Sequence, residues 1–295
     1  MSVFKGAAVA IVTPFNMDGS VNYDKLGELI DFNVNNGTDA IVIVGTTGEA
    51  STLTHEEHLE CIKYAVQKTA HRIPVIAGTG SNCTETEVYL STEAYKAGVD
   101  GVLLVSPYYN KATQNGLKQH FGAVAKACDV PIILYNIPGR TGVNIAAKTI
   151  ADLAKEYDTI VGVKDATGNI SGTMDLMELT HGDVAIYSGE DGLITPMLSV
   201  GAQGVISVLS NVAPMDTHLI CQKFFDGDVK GSLELQMKYR PLISALFSEV
   251  NPIPVKAALN LMGFNVGPMR LPLTTMEDAN LEVLKAEMKK VGLIK

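Results

Sequence analysis

The chain has 295 residues, 46% hydrophobic and 19% charged, a globular composition long enough for a large core. A net charge of −9 and a pI near 5.2 give it no electrostatic footprint for nucleic acid. Any anionic ligand must therefore be met by positive charge inside a site, and four scattered cysteines without a C-x-x-C pair argue against a metal cluster or disulfide framework and for a reducing cytoplasm.

The first apolar run, A-A-V-A-I-V-T (7–13), is too short for a secretory core or a membrane span and reads as a strand. Residues 23–36 follow with helical periodicity through Leu26, Leu29, Ile30 and Val34, ended by Gly37. A second strand, 40–45, leads to Thr54 and Glu57, a capping box opening a helix. A third strand (74–79) precedes Thr84 and Glu87, which repeat that spacing. A fourth (101–106) precedes a helix from Thr113 to about Cys128. A fifth (131–136) precedes a helix from Asn144 to about Tyr157. The sixth, seventh and eighth runs are 160–164, 184–189 and 204–208, with a helix near 214–226 after the last. None of the eight alternates apolar and polar cleanly, as expected of parallel strands covered on both faces. Their spacing is that of β-α units, which predicts a (β/α)8 barrel, with a doubly wound open sheet as the alternative. Helical periodicity at 229–248, 253–263 and 276–291 predicts a C-terminal helical region. The expected division is a catalytic barrel over 1–226 and a helical region over 227–295, meeting at Gly227-Asp228.

In such a barrel the active site lies at the C-terminal ends of the strands. Lys164 is the only lysine or arginine there, in a ring otherwise rich in hydroxyls and glycine amides. Burial lowers a lysine pKa, and a neutral amine attacks carbonyls, so one reading is a Schiff-base nucleophile. The other is a lysine that snorkels to solvent or pairs with Asp165 or Glu190. Tyr135, ending the preceding strand, is placed to shuttle protons or simply to fill the core. Gly45-Thr46-Thr47-Gly48-Glu49 exposes amides and hydroxyls at a strand-to-helix turn, suited to a carboxylate or phosphate, or to capping the next helix. Arg140, one of four arginines, stands in a Pro-Gly turn above the fifth strand and suits a bidentate carboxylate contact or plain solvation. His55-Glu56-Glu57-His58 lacks the H-E-x-x-H spacing, and no dinucleotide fingerprint follows a strand, so neither metal nor cofactor is expected.

G-T-T-G-E (45–49), P-Y-Y-N (107–110), Y-N-I-P-G-R-T-G (135–142), V-G-V-K-D-A-T-G (161–168), N-P-I-P-V-K (251–256) and M-R-L-P-L (269–273) together resemble the dihydrodipicolinate synthase family, in order and over essentially the whole chain. The resemblance implies that Lys164 forms a Schiff base with pyruvate, which then condenses with aspartate semialdehyde on the route to diaminopimelate and lysine. It implies that Thr46 and Thr47 hold the pyruvate carboxylate, and that Gly189 and the Ile206 carbonyl line that pocket. Tyr135, Thr46 and Tyr109 would relay protons, Tyr109 arriving from a neighbouring subunit, and Arg140 would bind the semialdehyde carboxylate. It further implies a cytoplasmic lyase without cofactor, a homotetramer built as a dimer of dimers, and a lysine-binding cleft at His55, His58, Asn82 and Tyr108. Asp165 stands where the family often has glutamate. Thr86 stands where the cleft's glutamate is expected, which speaks against feedback inhibition by lysine. Arg140 favours this family over its sugar-acid relatives, the N-acetylneuraminate lyases and 2-keto-3-deoxy-sugar-acid aldolases. A non-catalytic keto-acid sensor is the alternative of a different class, and it would have no need of the hydroxyl relay.

Overall fold

Runs that are apolar on both faces need cover on both faces, and this chain supplies it by closing its sheet on itself. The computed structural model describes residues 2–295. In chain order the elements are β1 (Gly6–Ala10), α1 (Tyr23–Asn35), β2 (Ala40–Ile43), α2 (His55–Thr69), β3 (Val75–Gly78), α3 (Thr84–Ala97), β4 (Gly101–Val105) and α4 (Gln114–Ala127). There follow β5 (Ile132–Asn136), the short α5 (Pro138–Thr141), α6 (Ala147–Glu156), β6 (Ile160–Asp165) and α7 (Ile170–Thr180). The barrel ends with β7 (Ala185–Ser188), α8 (Ile194–Ser199), β8 (Gly204–Ser207) and α9 (Pro214–Phe225). All eight predicted strands are present, most of them slightly shorter than their apolar runs. Each pairs in parallel with the next, and β8 returns to β1 with Ile206 beside Ala8, so the sheet is a closed (β/α)8 barrel and not an open one. The closing seam requires glycine. Gly204 has φ +153°, and a Cβ there would lie 1.8 Å from the Gly6 carbonyl oxygen.

The barrel interior is asymmetric along its axis. At the floor Phe4 and Tyr187 stack with ring centroids 4.2 Å apart, and the Tyr187 hydroxyl donates to the Phe4 carbonyl at 2.8 Å. Higher up, β1 and β2 contribute small inward residues, Ala8, Ala10 and Ala40, to the interior cluster. Small residues on one wall leave room at the mouth, and Ala10 lines the cavity described below.

The helix starts test local signals against tertiary demand. Thr54 and Glu57 form the predicted capping box on α2, and Thr113 accepts from the Gly116 amide at the start of α4. Thr84 and Glu87 do not form one. The N-cap of α3 is Cys83, and Glu87 is fully buried, accepting from the Ser81 amide at 2.8 Å and facing His120 at 3.1 Å. A buried carboxylate needs those partners more than the helix needs a second cap. Asn144 does not cap α6 either. Its side-chain oxygen accepts from Asn136, while Gln114 reaches across from α4 to take the Ala146 amide and the Thr149 hydroxyl.

Beyond the barrel lie α10 (Val229–Leu246), α11 (Ile253–Leu261) and α12 (Asp278–Lys290), as the periodicity predicts. Asp228 caps α10 by accepting from the Gly231 amide. The segment joining α10 to α11 lies above the mouth, and α10 is tied to the end of β7 by a bond from Gln236 Nε2 to the Asp191 carbonyl at 2.7 Å. No helix among the described residues is long and apolar enough to cross a membrane.

Candidate active site

A cavity of about 890 Å³ opens at the C-terminal ends of the strands. Lys164, the penultimate residue of β6, points into it. Only 7% of the residue is exposed, so it does not snorkel. Asp165 points the other way along the strand pleat and is fully engaged. Its Oδ1 accepts from the Thr167 amide and hydroxyl, and its Oδ2 from the Thr173 hydroxyl. Lys164 Nζ instead sits 4.2 Å from the centre of the Tyr135 ring, its neighbour across the β5–β6 register. Burial lowers the Lys164 pKa to about 8; Asp191 opposes the shift and Arg140 adds to it. A substantial fraction of the amine is therefore neutral close to physiological pH. Burial pushes the Tyr135 phenol up to about 12, so it is protonated at rest.

The G-T-T-G-E turn follows β2. Gly48 and Ala50 both bond back to the Gly45 carbonyl, and non-glycine Val44 and Glu49 bracket the turn in left-handed conformations, φ 48° and 54°. Among the described residues the amides of Thr46 and Thr47 find no acceptor. Thr46 is exposed at the mouth and Thr47 is buried. Two free amides and two hydroxyls on one turn are a carboxylate-sized set of donors.

Arg140 stands on α5, where Pro138 at the first helical position sharpens the turn out of β5. Its guanidinium lines the same cavity, and its Nη2 donates to the Asn251 carbonyl at 3.5 Å. Gly189 also lines it, and a Cβ there would come within 2.6 Å of the Ala166 Cβ. Ile206 belongs to the buried interior cluster beneath. Tyr109 behaves differently. It is 90% exposed, has φ 72°, and lies outside the lining of its own chain's cavity.

The cavity extends sideways to His55, His58, Thr86 and Tyr108. His58 Nε2 lies 2.8 Å from the Gly78 carbonyl, and burial holds its pKa down to about 4, so the ring is neutral and donates there. Asn82 donates to the Tyr108 carbonyl. The expected glutamate position is Thr86; of the two flanking glutamates, Glu87 is buried on the Ser81 amide and Glu85 is exposed outside the lining, so α3 lends this arm of the cavity no carboxylate.

Three residues that line or brace the site, Lys256, Asn251 and Asp191, escape a strand-end reading of the sequence. Lys256 of α11 is completely buried and donates to Glu49 Oε1 at 2.8 Å and to the carbonyls of Thr13 and Pro268. The other oxygen of Glu49 accepts from the Arg270 amide at 3.0 Å. Asn251 donates to the Thr47 hydroxyl. Asp191, just past β7, accepts two amides, from Val208 and Leu209, and lines the cavity near Lys164. The N-P-I-P-V-K motif contains two of these residues, but motif matching alone says nothing of what they touch.

The chain matches the dihydrodipicolinate synthetase family over residues 3–291. It is 63% identical to the 4-hydroxy-tetrahydrodipicolinate synthase of Lachnoclostridium phytofermentans over the full length of both chains. It superposes on the crystal structure of dihydrodipicolinate synthase from Aquifex aeolicus with a TM-score of 0.97 at 45% identity, covering 98% of this chain and 99% of that one. It also superposes on a monomeric dihydrodipicolinate synthase variant with a TM-score of 0.96 at 41% identity, covering 99% and 98%. With the whole chain covered and the lysine, turn and arginine placed around one cavity, the chain belongs to the dihydrodipicolinate synthetase family.

Proposed function

We propose that the chain is a 4-hydroxy-tetrahydrodipicolinate synthase that joins pyruvate to L-aspartate 4-semialdehyde through a Schiff base on Lys164. The observation that carries this is the buried Lys164 amine, free of any carboxylate partner and set against Tyr135 in a cavity rimmed by Thr46, Thr47 and Arg140. The pyruvate carboxylate takes the amides and hydroxyls of Thr46 and Thr47, with Gly189 and the Ile206 carbonyl completing its pocket. That places the keto carbon at Lys164. The neutral amine attacks it, and the carbinolamine loses water to give the iminium. Loss of a methyl proton gives the enamine, whose carbon attacks the aldehyde. The substrate's own amine then displaces Lys164 and closes the ring. Each proton passes through the Tyr135 phenol and the Thr46 hydroxyl, two residues that line the cavity with Lys164. Such a reaction serves the diaminopimelate route to lysine, and the cytoplasm is its proposed compartment.

Arg140 separates this reading from cleavage of a sugar acid. Its guanidinium suits the semialdehyde carboxylate. Borohydride reduction in the presence of pyruvate should mark Lys164, as read by mass spectrometry. Arg140→Ala should still give that adduct while kcat/KM for the semialdehyde falls by about 10- to 100-fold, the scale of a lost charged hydrogen bond. Equal damage to adduct and condensation would remove Arg140 from the semialdehyde site. Turnover of a sugar acid in place of the semialdehyde would overturn the assignment.

The exposure of Tyr109 supports a homo-oligomer, a tetramer arranged as a dimer of dimers, in which Tyr109 enters a neighbour's mouth and extends the relay. Specific activity should then fall on dilution as the protein dissociates, and Tyr109→Phe should lower kcat by about 10²-fold at any concentration. Undiminished activity in a species sedimenting as a monomer would refute the shared site. The side arm lined by His55, His58 and Tyr108, with Asn82 bonded to the Tyr108 carbonyl, has no acidic group at Thr86, so inhibition by lysine is not part of the proposed function.

A further inference from the structure

Thr47 is buried, and its hydroxyl makes a single hydrogen bond among the described residues: Oγ1 accepts from Asn251 Nδ2 at 2.9 Å. A hydroxyl carries one proton and two lone pairs. With a lone pair filled by the amide of Asn251, the proton has no partner in the protein. The neighbouring amides of Thr46 and Thr47 are uncommitted as well, and Thr47 and Asn251 both line the cavity. Asn251 is itself held from two sides. Its carbonyl accepts from Arg140, and it sits at the start of the α11 segment anchored by Lys256 on Glu49. Its Oδ1 is buried without a partner, so satisfying its own side chain does not explain which way the amide is turned.

We propose that Asn251, from the C-terminal helical region, is a positioning residue that fixes the polarity of the Thr47 hydroxyl, turning it into an obligate donor for the carboxylate of the keto acid. This rests on the reading of Thr47 as a carboxylate ligand given above. The pocket floor then presents only donors to the anion. A hydroxyl free to rotate would present lone pairs part of the time, and one donating to a protein acceptor would present lone pairs always.

The test is a cycle on Thr47 and Asn251. Asn251→Asp replaces the amide donor with an acceptor, so the Thr47 proton turns towards Asp and its lone pairs face the ligand. The KM for pyruvate should rise by about 10- to 100-fold, the range for a lost hydrogen bond to a charged group, while kcat at saturating pyruvate changes far less. Thr47→Val should do the same. In the Thr47→Val background Asn251→Asp should add almost nothing. Asn251→Ala, which leaves the hydroxyl free to rotate, should weaken pyruvate binding by only a few-fold and serves if the aspartate variant does not fold. If Asn251→Asp raises KM equally in both backgrounds, the new charge repels the anion and the polarity proposal fails. It also fails if Asn251→Ala is as damaging as Asn251→Asp, or if Asn251→Asp has no effect while Thr47→Val does. No effect of Thr47→Val on KM would instead remove Thr47 from the carboxylate site.

Discussion

Lys164→Met is expected to give a protein that neither traps pyruvate under borohydride nor turns it over, and that is more stable than the parent at neutral pH. The loss of kcat should reach about 10⁵-fold or more, the scale on which removal of a covalent nucleophile acts. Lys164→Arg should be equally inactive, since it keeps the charge and lacks an amine that can be neutral. The stability gain follows from the same burial that makes the amine reactive. A folded-state pKa near 8 against an ordinary 10.5 means that holding the protonated amine costs roughly 3 kcal/mol, at about 1.4 kcal/mol per unit. The sign follows from the protonation states. Below pH 8 the lysine is protonated in both folded and unfolded chains, and the full cost bears on the fold. Above about 10.5 it is neutral in both and the cost is gone. The advantage of Lys164→Met should therefore be largest at pH 7 and vanish near pH 10.5 in denaturant titrations. The parent's kcat/KM for pyruvate should rise with pH through about 8 as the free amine forms. A flat profile between pH 6 and 9, or a destabilised Lys164→Met, would show that the amine is not held in the state the geometry requires.

Lys256→Met should do the opposite to stability. This lysine is as buried as Lys164, but it has a carboxylate 2.8 Å away and two carbonyls around it. Removing it leaves Glu49 buried without its counter-ion, which costs about 3–5 kcal/mol in comparable pairs. Glu49→Gln with Lys256→Met removes both charges and should recover most of that loss. Chemical denaturation of the two variants beside the parent measures it. A double variant no better than the single would mean that the packing of the Lys256 stem, and not its charge, carries the effect. Burial lowers the pKa of both lysines, yet their removal should act in opposite directions, because only the loss of Lys256 leaves a buried carboxylate behind. The unpaired one is the lysine on which the proposed Schiff base forms.

The strands were legible because a barrel strand is covered on both faces, so its sequence is a continuous apolar run with no competing pattern. Lys164 was legible because it is the one lysine or arginine at the C-terminal end of such a run. The turn at 45–49 was legible because its donors are adjacent in sequence. What was not legible is everything brought in from afar. Asn251 meets Thr47 across 204 positions and Lys256 meets Glu49 across 207, distances that no spacing rule reads. The same limit explains the helix starts. Thr54-Glu57 and Thr84-Glu87 have one pattern, yet only the first is a capping box, because Glu87 is claimed by Ser81 and His120 in the packed interior. Asn144 gave way to Gln114 for a similar reason, since a cap from another helix is invisible in the local sequence.

The reach of Lys256 back to Glu49 also bears on how the chain comes off the ribosome. The eighth strand is finished at Ser207, but the turn at 45–49 stays unclamped until roughly fifty further residues have emerged, a few seconds of synthesis at ordinary rates. During that interval Glu49 has no counter-ion and Thr47 has no Asn251.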